Sequence, residues 1–335
     1  MIEGTRPARQ RARAVWSKEK LVHERAIALG HALDDSTLGN YGSALNSYLT
    51  FVKNHDFPVE PTPDTLSFFT VYTCHYLNPR SVSTYLSGII SQLEPFFPEA
   101  RTARKSMLVR RTLQGCMRMN GKATVRKRAL TVDDLHTVIN HYQHSSQHDD
   151  LLFVAMLITG FFALLRLGEL TFPDDSALRN WKKVTRRDSV KVSDTQYEFF
   201  LPGHKADRFF EGNRIIIMAN RFGHQPLHHF SKYLKSRDAL HPTSSALWLT
   251  KAGHIPKRSF FIKRLQQFFT NDVAGQSMRA GGATALAERG VPPPIIQAAG
   301  RWASDAFLIY IRKNPTLLQG LLHANARNQV QDVHV

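Results

Sequence analysis

The chain of 335 residues carries 44 lysines and arginines against 27 aspartates and glutamates, a formal charge of +17. That length suits two domains, each able to bury a core, and the charge builds a field that attracts polyanions, which makes nucleic acid the expected partner without by itself naming an enzyme. Cys74 and Cys116 stand far apart in the chain and outside any Cys-x-x-Cys spacing, which excludes a disulfide framework and a thiolate metal site and fits a reducing compartment.

Residues 1–20 carry Arg6, Arg9, Arg11, Arg13, Lys18 and Lys20 without apolar periodicity; they read as a disordered basic arm, a nuclear address, a DNA tail or a solvated terminus. With no apolar core between Met1 and Arg13, no secretory signal is expected, and the chain reads as intracellular, nuclear in a eukaryotic cell. Over residues 21–118 the pattern is helical. Leu38, Tyr41, Leu45, Tyr48, Leu49 and Val52 share a face behind a cap at Ser36 or Thr37, Thr62-Pro63-Asp64 starts a second helix, Asn78-Pro79 a third, and Ser106 to Met117 supplies a fourth.

Between Arg101 and Arg128 there are ten basic residues and no acid. Residues 119–130 are the expected inter-domain linker, and Lys122, Arg126, Lys127 and Arg128, with Arg110 and Arg111 before them, are the candidate phosphate-binding residues; a charged linker that merely stays solvated is the plainer alternative. The second domain, 131–335, opens on a capping box at Thr131 to Asp134. The apolar stretch Leu151 to Leu165 ends at Arg166 and falls short of the roughly 20 residues a membrane span requires, so it reads as a buried helix. Short alternating segments at Ser189 to Val192, Gln196 to Leu201 and Asn213 to Met218 predict a small antiparallel sheet with a polar turn from Pro202 to Gly212. Helices return at Leu227 to Leu234, Pro256 to Phe268, Ser277 to Arg289, Pro293 to Ala299 and Ser304 to Arg312.

Moving a phosphodiester without a metal requires a nucleophile, donors for the non-bridging oxygens and an acid for the leaving alkoxide. Arg166 ends a buried run, where a cation must be paired or serve a ligand, and Glu169 follows within reach on the same helical face. Arg279 stands near a helix start, where its fork and the helix N-terminus both favour phosphate, with Gly281 and Gly282 allowing close packing. Trp302 offers an indole N–H, Lys205 a mobile ammonium at the hairpin tip, and Tyr310 a phenol. Singly, each has an ordinary structural reading. His141, His144 and His148, and likewise His224, His228 and His229, have a spacing that could bind a metal, but the chemistry needs none, and neither a metal nor another cofactor is expected.

The order Arg166, Lys205, Arg279, Trp302, Tyr310 resembles the signature of the tyrosine recombinases, the phage integrase family, with Trp302 and Tyr310-Ile311-Arg312 nearest its Cre-like members and a texture similar to recombinase-like proteins of fungal mobile elements. The resemblance implies a mainly α fold: an N-terminal helical core-binding bundle of SAM-like type, plus a mixed α+β catalytic domain with a small antiparallel sheet, the two forming a C-shaped clamp on double-stranded DNA. It implies cleavage by Tyr310 through a 3′-phosphotyrosyl link, with Arg166, Arg279 and Trp302 holding the phosphorane, Lys205 protonating the 5′ oxygen and Glu169 orienting the arginine. It further implies a DNA-bound homotetramer joined through Leu317 to Leu322, though those leucines suit packing on their own domain equally well. One position departs from the pattern: Gln276 stands where the family has histidine, and an amide cannot exchange a proton near neutral pH. Two other readings therefore stand beside a recombinase or integrase: a DNA-binding protein that no longer cuts, and a monomeric enzyme of type IB topoisomerase character.

Overall fold

The computed structural model describes residues 14–30, 32–122, 126–203, 207, 211–219, 223–304 and 308. The chain divides into two compact units, Met1–Thr124 and Val125–Val335. Among the described residues no helix is long and apolar enough to cross a membrane.

The first unit is helical: α1 (Lys18–Gly30), α2 (Asp35–Asn54), α3 (Pro63–Cys74), α4 (Pro79–Leu93), α5 (Ala100–Lys105) and α6 (Met107–Asn120). Helix α1 and the single-turn-scale α5 were not legible from periodicity, and Lys18 to Lys20, read as part of the arm, form the first turn of α1. The cap of α2 is Asp34, two residues earlier than expected, because its carboxylate accepts from the Thr37 N–H at 2.9 Å and from the Ser36 hydroxyl at 2.8 Å. Thr62 and Thr65 form a reciprocal capping box on α3, and Asn78 caps α4. Tyr48, Phe51, Phe69, Leu86, Ile89 and Val109 bury one core between these helices. Sequence distance misled for the cysteines: Cys74 and Cys116 pack together with Val82, and burial, then Cys116, pushes the Cys74 thiol up to about 12. Both are free thiols.

The second unit contains α7 (Val132–Tyr142), α8 (His148–Phe162), a three-stranded antiparallel sheet in the order β1 (Lys191–Val192), β2 (Gln196–Leu201), β3 (Asn213–Met218), then α9 (Pro226–Leu240), α10 (Arg258–Leu265), α11 (Gly275–Glu288) and α12 (Pro293–Gly300). Strands β2 and β3 pair from Gln196 with Met218 to Leu201 with Asn213. Helix α8 is apolar on all sides because it is wrapped on all sides: Leu152 through Phe162 are buried. Tyr197 fastens the sheet to it, donating or accepting at the Thr159 hydroxyl over 2.8 Å while its ring stacks on Phe230 at 4.0 Å.

Two chain segments lock α11 in place. The Leu130 N–H donates to the Ser277 carbonyl and the Arg128 N–H to that of Asp272, at 3.0 and 2.8 Å. A side-chain carbon at Gly281 would overlap the Leu130 carbonyl oxygen, and one at Gly282 the Phe161 carbonyl oxygen, so these glycines serve close backbone approach, as their pairing suggested.

Several of the histidines singled out for their spacing are engaged by protein neighbours. His148 is buried with Nδ1 2.9 Å from the Ser236 hydroxyl and Nε2 2.9 Å from the Leu249 carbonyl, while His141 packs edge-on against Tyr142 and Phe268. His224 stacks on His136 at 4.1 Å. Burial, then His136 and Arg289, lowers His224 from 6.5 to about 4; burial, then His228 and Lys232, does the same to His229. An unfolded chain takes up both protons as pH falls through about 6.5, whereas the fold accepts them only near 4. Stability from these two groups is thus complete above about pH 6.5 and lost as pH falls towards 4. The urea midpoint should fall between about pH 7 and about pH 4.5, and the fall should be shallower in a His224→Gln/His229→Gln double variant.

Candidate functional site

The sharpest local features of the second unit are the ends of α8 and α12. Each ends with a residue in the left-handed region that is not glycine: Leu164 with φ 53° after α8, Arg301 with φ 56° after α12. The hydrogen bonds have the same form at both ends. After α8, the Leu165 N–H reaches back to the Gly160 carbonyl and that of Leu164 to Phe161; after α12, Trp302 reaches Gln297 and Arg301 reaches Ala298. In both cases the chain turns sharply and its last carbonyls face outward from the helix, where the dipole is negative.

Arg279 joins the two ends. It rises from the second turn of α11, is 4% exposed, and donates from Nη1 to the Leu164 carbonyl at 2.7 Å and from Nη2 to the Gly300 carbonyl. The Trp302 ring lies 4.1 Å from its guanidinium carbon, a cation–π contact. Arg279 was expected to meet phosphate beside a helix N-terminus; its guanidinium instead donates to carbonyls at or just after the ends of α8 and α12.

Arg166 and Glu169 also meet, by another route than expected. Helix α8 stops at Phe162, Arg166 is extended at φ −76° and ψ 145°, and Leu167–Glu169 form a single tight turn. Glu169 closes that turn: its Oε2 accepts the Arg166 backbone N–H and its Oε1 the Arg166 Nη1, both at 3.0 Å. The carboxylate side chain is 5% exposed and the Arg166 side chain 29%, so the arginine projects from a buried anchor towards solvent.

Arg301, which residue type and spacing had not singled out, joins the same junction. Its Nη2 lies 3.4 Å from each of three oxygens, the Glu169 carboxylate and the Ala163 and Leu164 carbonyls. A charged residue directly after a helix-ending glycine, where the chain must turn left-handed, was the available signal.

The other candidates fall elsewhere. Gln276 is exposed in the first turn of α11. Arg110, Arg111, Lys122 and Arg126 are exposed. Arg128, expected to meet phosphate, is committed to Asp272 at 2.8 Å and to Asp134, and Lys127 donates to the Asn271 carbonyl; two carboxylates outcompete solvent for the Arg128 fork. Lys205, Tyr310 and Leu317 to Leu322 lie outside the described residues.

No family model matches the chain, and no curated protein matches it in sequence. Solved structures do match. The XerH site-specific recombinase bound to a palindromic difH substrate in a post-cleavage complex is 16% identical, with a TM-score of 0.59 over 85% of this chain and 78% of that one. The Tn1549 transposon integrase in complex with transposon right end DNA is 12% identical, with a TM-score of 0.53 over 95% and 98%. A lambda integrase dimer bound to a COC′ core site is 13% identical, with a TM-score of 0.52 over 87% and 76%. The chain has the fold of the tyrosine recombinases and integrases. It is mainly helical with a small antiparallel sheet, as the resemblance implied.

Replacing Arg279 by Ala would leave the Gly300 carbonyl without its buried donor and the Leu164 carbonyl with only the 3.4 Å contact from Arg301. The expected loss of unfolding free energy is about 2–4 kcal/mol, read from urea denaturation, because each stranded buried acceptor costs about 1–3 kcal/mol; a change below the error of the measurement would mean that solvent reaches both oxygens.

Proposed function

We propose that the protein breaks and rejoins DNA strands as a tyrosine recombinase, in site-specific recombination or the integration of a mobile element. The observation that carries the reading is that Arg279, packed on Trp302, bonds to the Leu164 carbonyl two residues before Arg166, which is itself held by Glu169 and partly exposed. Side chains separated by over a hundred residues converge there with the charge a phosphate requires. The recombinase fold and the +17 charge support the same conclusion.

In this reading the Tyr310 phenol oxygen attacks the scissile phosphorus, forming one P–O bond as the bond to the 5′ oxygen breaks. The phenol proton passes to solvent or a neighbouring base, and Lys205 protonates the departing 5′ oxygen. Arg166 and Arg279 neutralise the added charge on the non-bridging oxygens, and Trp302 packs against Arg279. The phosphotyrosyl link conserves the bond energy, so rejoining needs no nucleotide cofactor. Exposed Arg110, Arg111, Lys122 and Arg126 supply sequence-independent phosphate contacts, and a tetramer joined through Leu317 to Leu322 performs synapsis.

A nicked suicide duplex carrying the DNA that flanks the coding segment tests this. The protein should form a detergent-resistant covalent adduct, and Tyr310→Phe should abolish it while changing DNA affinity by no more than about twofold. An adduct that survives in Tyr310→Phe would remove the phenol from its role.

Gln276 favours a second reading, a DNA-binding protein that no longer cuts. Tight binding with no adduct from the unaltered chain would decide for it. If cleavage occurs, Gln276→His should speed it by roughly 10²-fold, the lower range of general acid–base assistance; no gain would show that the proton leaves by another route.

A further inference from the structure

Glu169 is one carboxylate shared by two arginines, and the second, Arg301, is held in a costly conformation to reach it. At φ 56° and ψ 44° the backbone of residue 301 adopts a geometry that glycine takes freely and a side chain resists. Strain of this kind persists where surrounding contacts over-determine it. Here the side chain is about nine-tenths buried, with Nη2 3.4 Å from the Glu169 carboxylate and from two carbonyls and Nη1 3.3 Å from the Ala299 carbonyl. Its Nε is buried and has no partner among the described residues. Clamping three main-chain carbonyls explains part of its place there, and the Glu169 carboxylate as fourth partner adds something a neutral donor would not gain.

The gain is electrostatic. With Glu169 alone, Arg166 is half of a neutral pair, and its charge is largely cancelled before any phosphate arrives. Arg301 draws on the same carboxylate from the other side. Among Arg166, Arg279, Arg301 and Glu169 the balance becomes three cations to one anion, and the outward-facing Arg166 keeps more of its field for a ligand. A phosphodiester carries one negative charge and the phosphorane formed by phenolate attack carries two, so the added cation acts most strongly where charge develops.

We propose that Arg301 is a positioning residue for strand cleavage, which sets through Glu169 how much of the Arg166 charge is offered to the scissile phosphate. This rests on the cleavage reading given above.

The test compares the unaltered protein with Arg301→Gly and Arg301→Lys on two suicide duplexes, one with an ordinary scissile diester and one with an uncharged methylphosphonate at that position. Glycine removes the charge and relieves the backbone, so the thermal midpoint of Arg301→Gly should equal or exceed that of the parent. Its single-turnover cleavage of the diester should fall by about tenfold or more, its DNA affinity should stay within about twofold, and its cleavage of the methylphosphonate should fall by less than about threefold. Arg301→Lys should recover part of the diester rate. Equal slowing on both duplexes would reduce Arg301 to a structural role, and wild-type cleavage by Arg301→Gly would overturn the inference. If the unaltered protein forms no adduct on either duplex, the cleavage reading itself fails, and the inference with it.

Discussion

A helix leaves its last carbonyls without internal partners, and when two helices end inside the same unit those oxygens must be met by buried donors. In this protein the ends are those of α8 and α12, and the donor that spans them is Arg279, bonded to the Leu164 and Gly300 carbonyls. The arrangement costs left-handed backbone at Leu164 and Arg301. It also fixes a guanidinium on the Leu164 carbonyl, two residues before Arg166 in the chain. Structural satisfaction and a concentration of positive charge come from the same contacts, and removing either end would loosen both.

The packing around this junction explains several residues that have no chemistry of their own. Gly281 and Gly282 let α11 lie against the Leu130 and Phe161 carbonyls, which brings Arg279 within reach of the end of α8. Leu164 faces the other way, into a small core with Ala283, Ala287 and Ile296, and Trp302 packs at its margin. The same device appears away from the site: Arg237 is 1% exposed and donates to the His241 carbonyl at 3.1 Å and the Ala246 carbonyl at 2.7 Å. Buried arginine as a clamp on main-chain oxygens is thus a recurring solution in this unit, and Arg237 likewise shares a carboxylate, Asp238, with the part-exposed Arg187.

Much of this was legible in the sequence because local signals and burial agreed. The capping residues Thr62, Asn78, Ser106 and Thr131 stand where the pattern placed them, and β2 and β3 occupy the predicted spans. Arg166 does meet Glu169, as their spacing suggested, and Arg279 meets Trp302, a contact between two residues singled out separately. What escaped was set by tertiary geometry. The end of α8 before Arg166, and so the turn that pairs Arg166 with Glu169, depends on a leucine accepting left-handed backbone, which no propensity predicts. Arg128 looked free to meet phosphate because Asp272 is distant in the chain and Asp134 read only as part of a capping box. Cys74 and Cys116 looked unrelated for the same reason.

The most direct measurement is a crystal structure of the full chain with nicked duplex and vanadate, whose trigonal bipyramid imitates the phosphorane. The account predicts vanadium bonded to the Tyr310 phenol oxygen, with Arg166 and Arg279 both donating to its equatorial oxygens and Glu169 still bridging Arg166 and Arg301. Vanadate bound to another tyrosine, or seated away from both guanidinium groups, would contradict it.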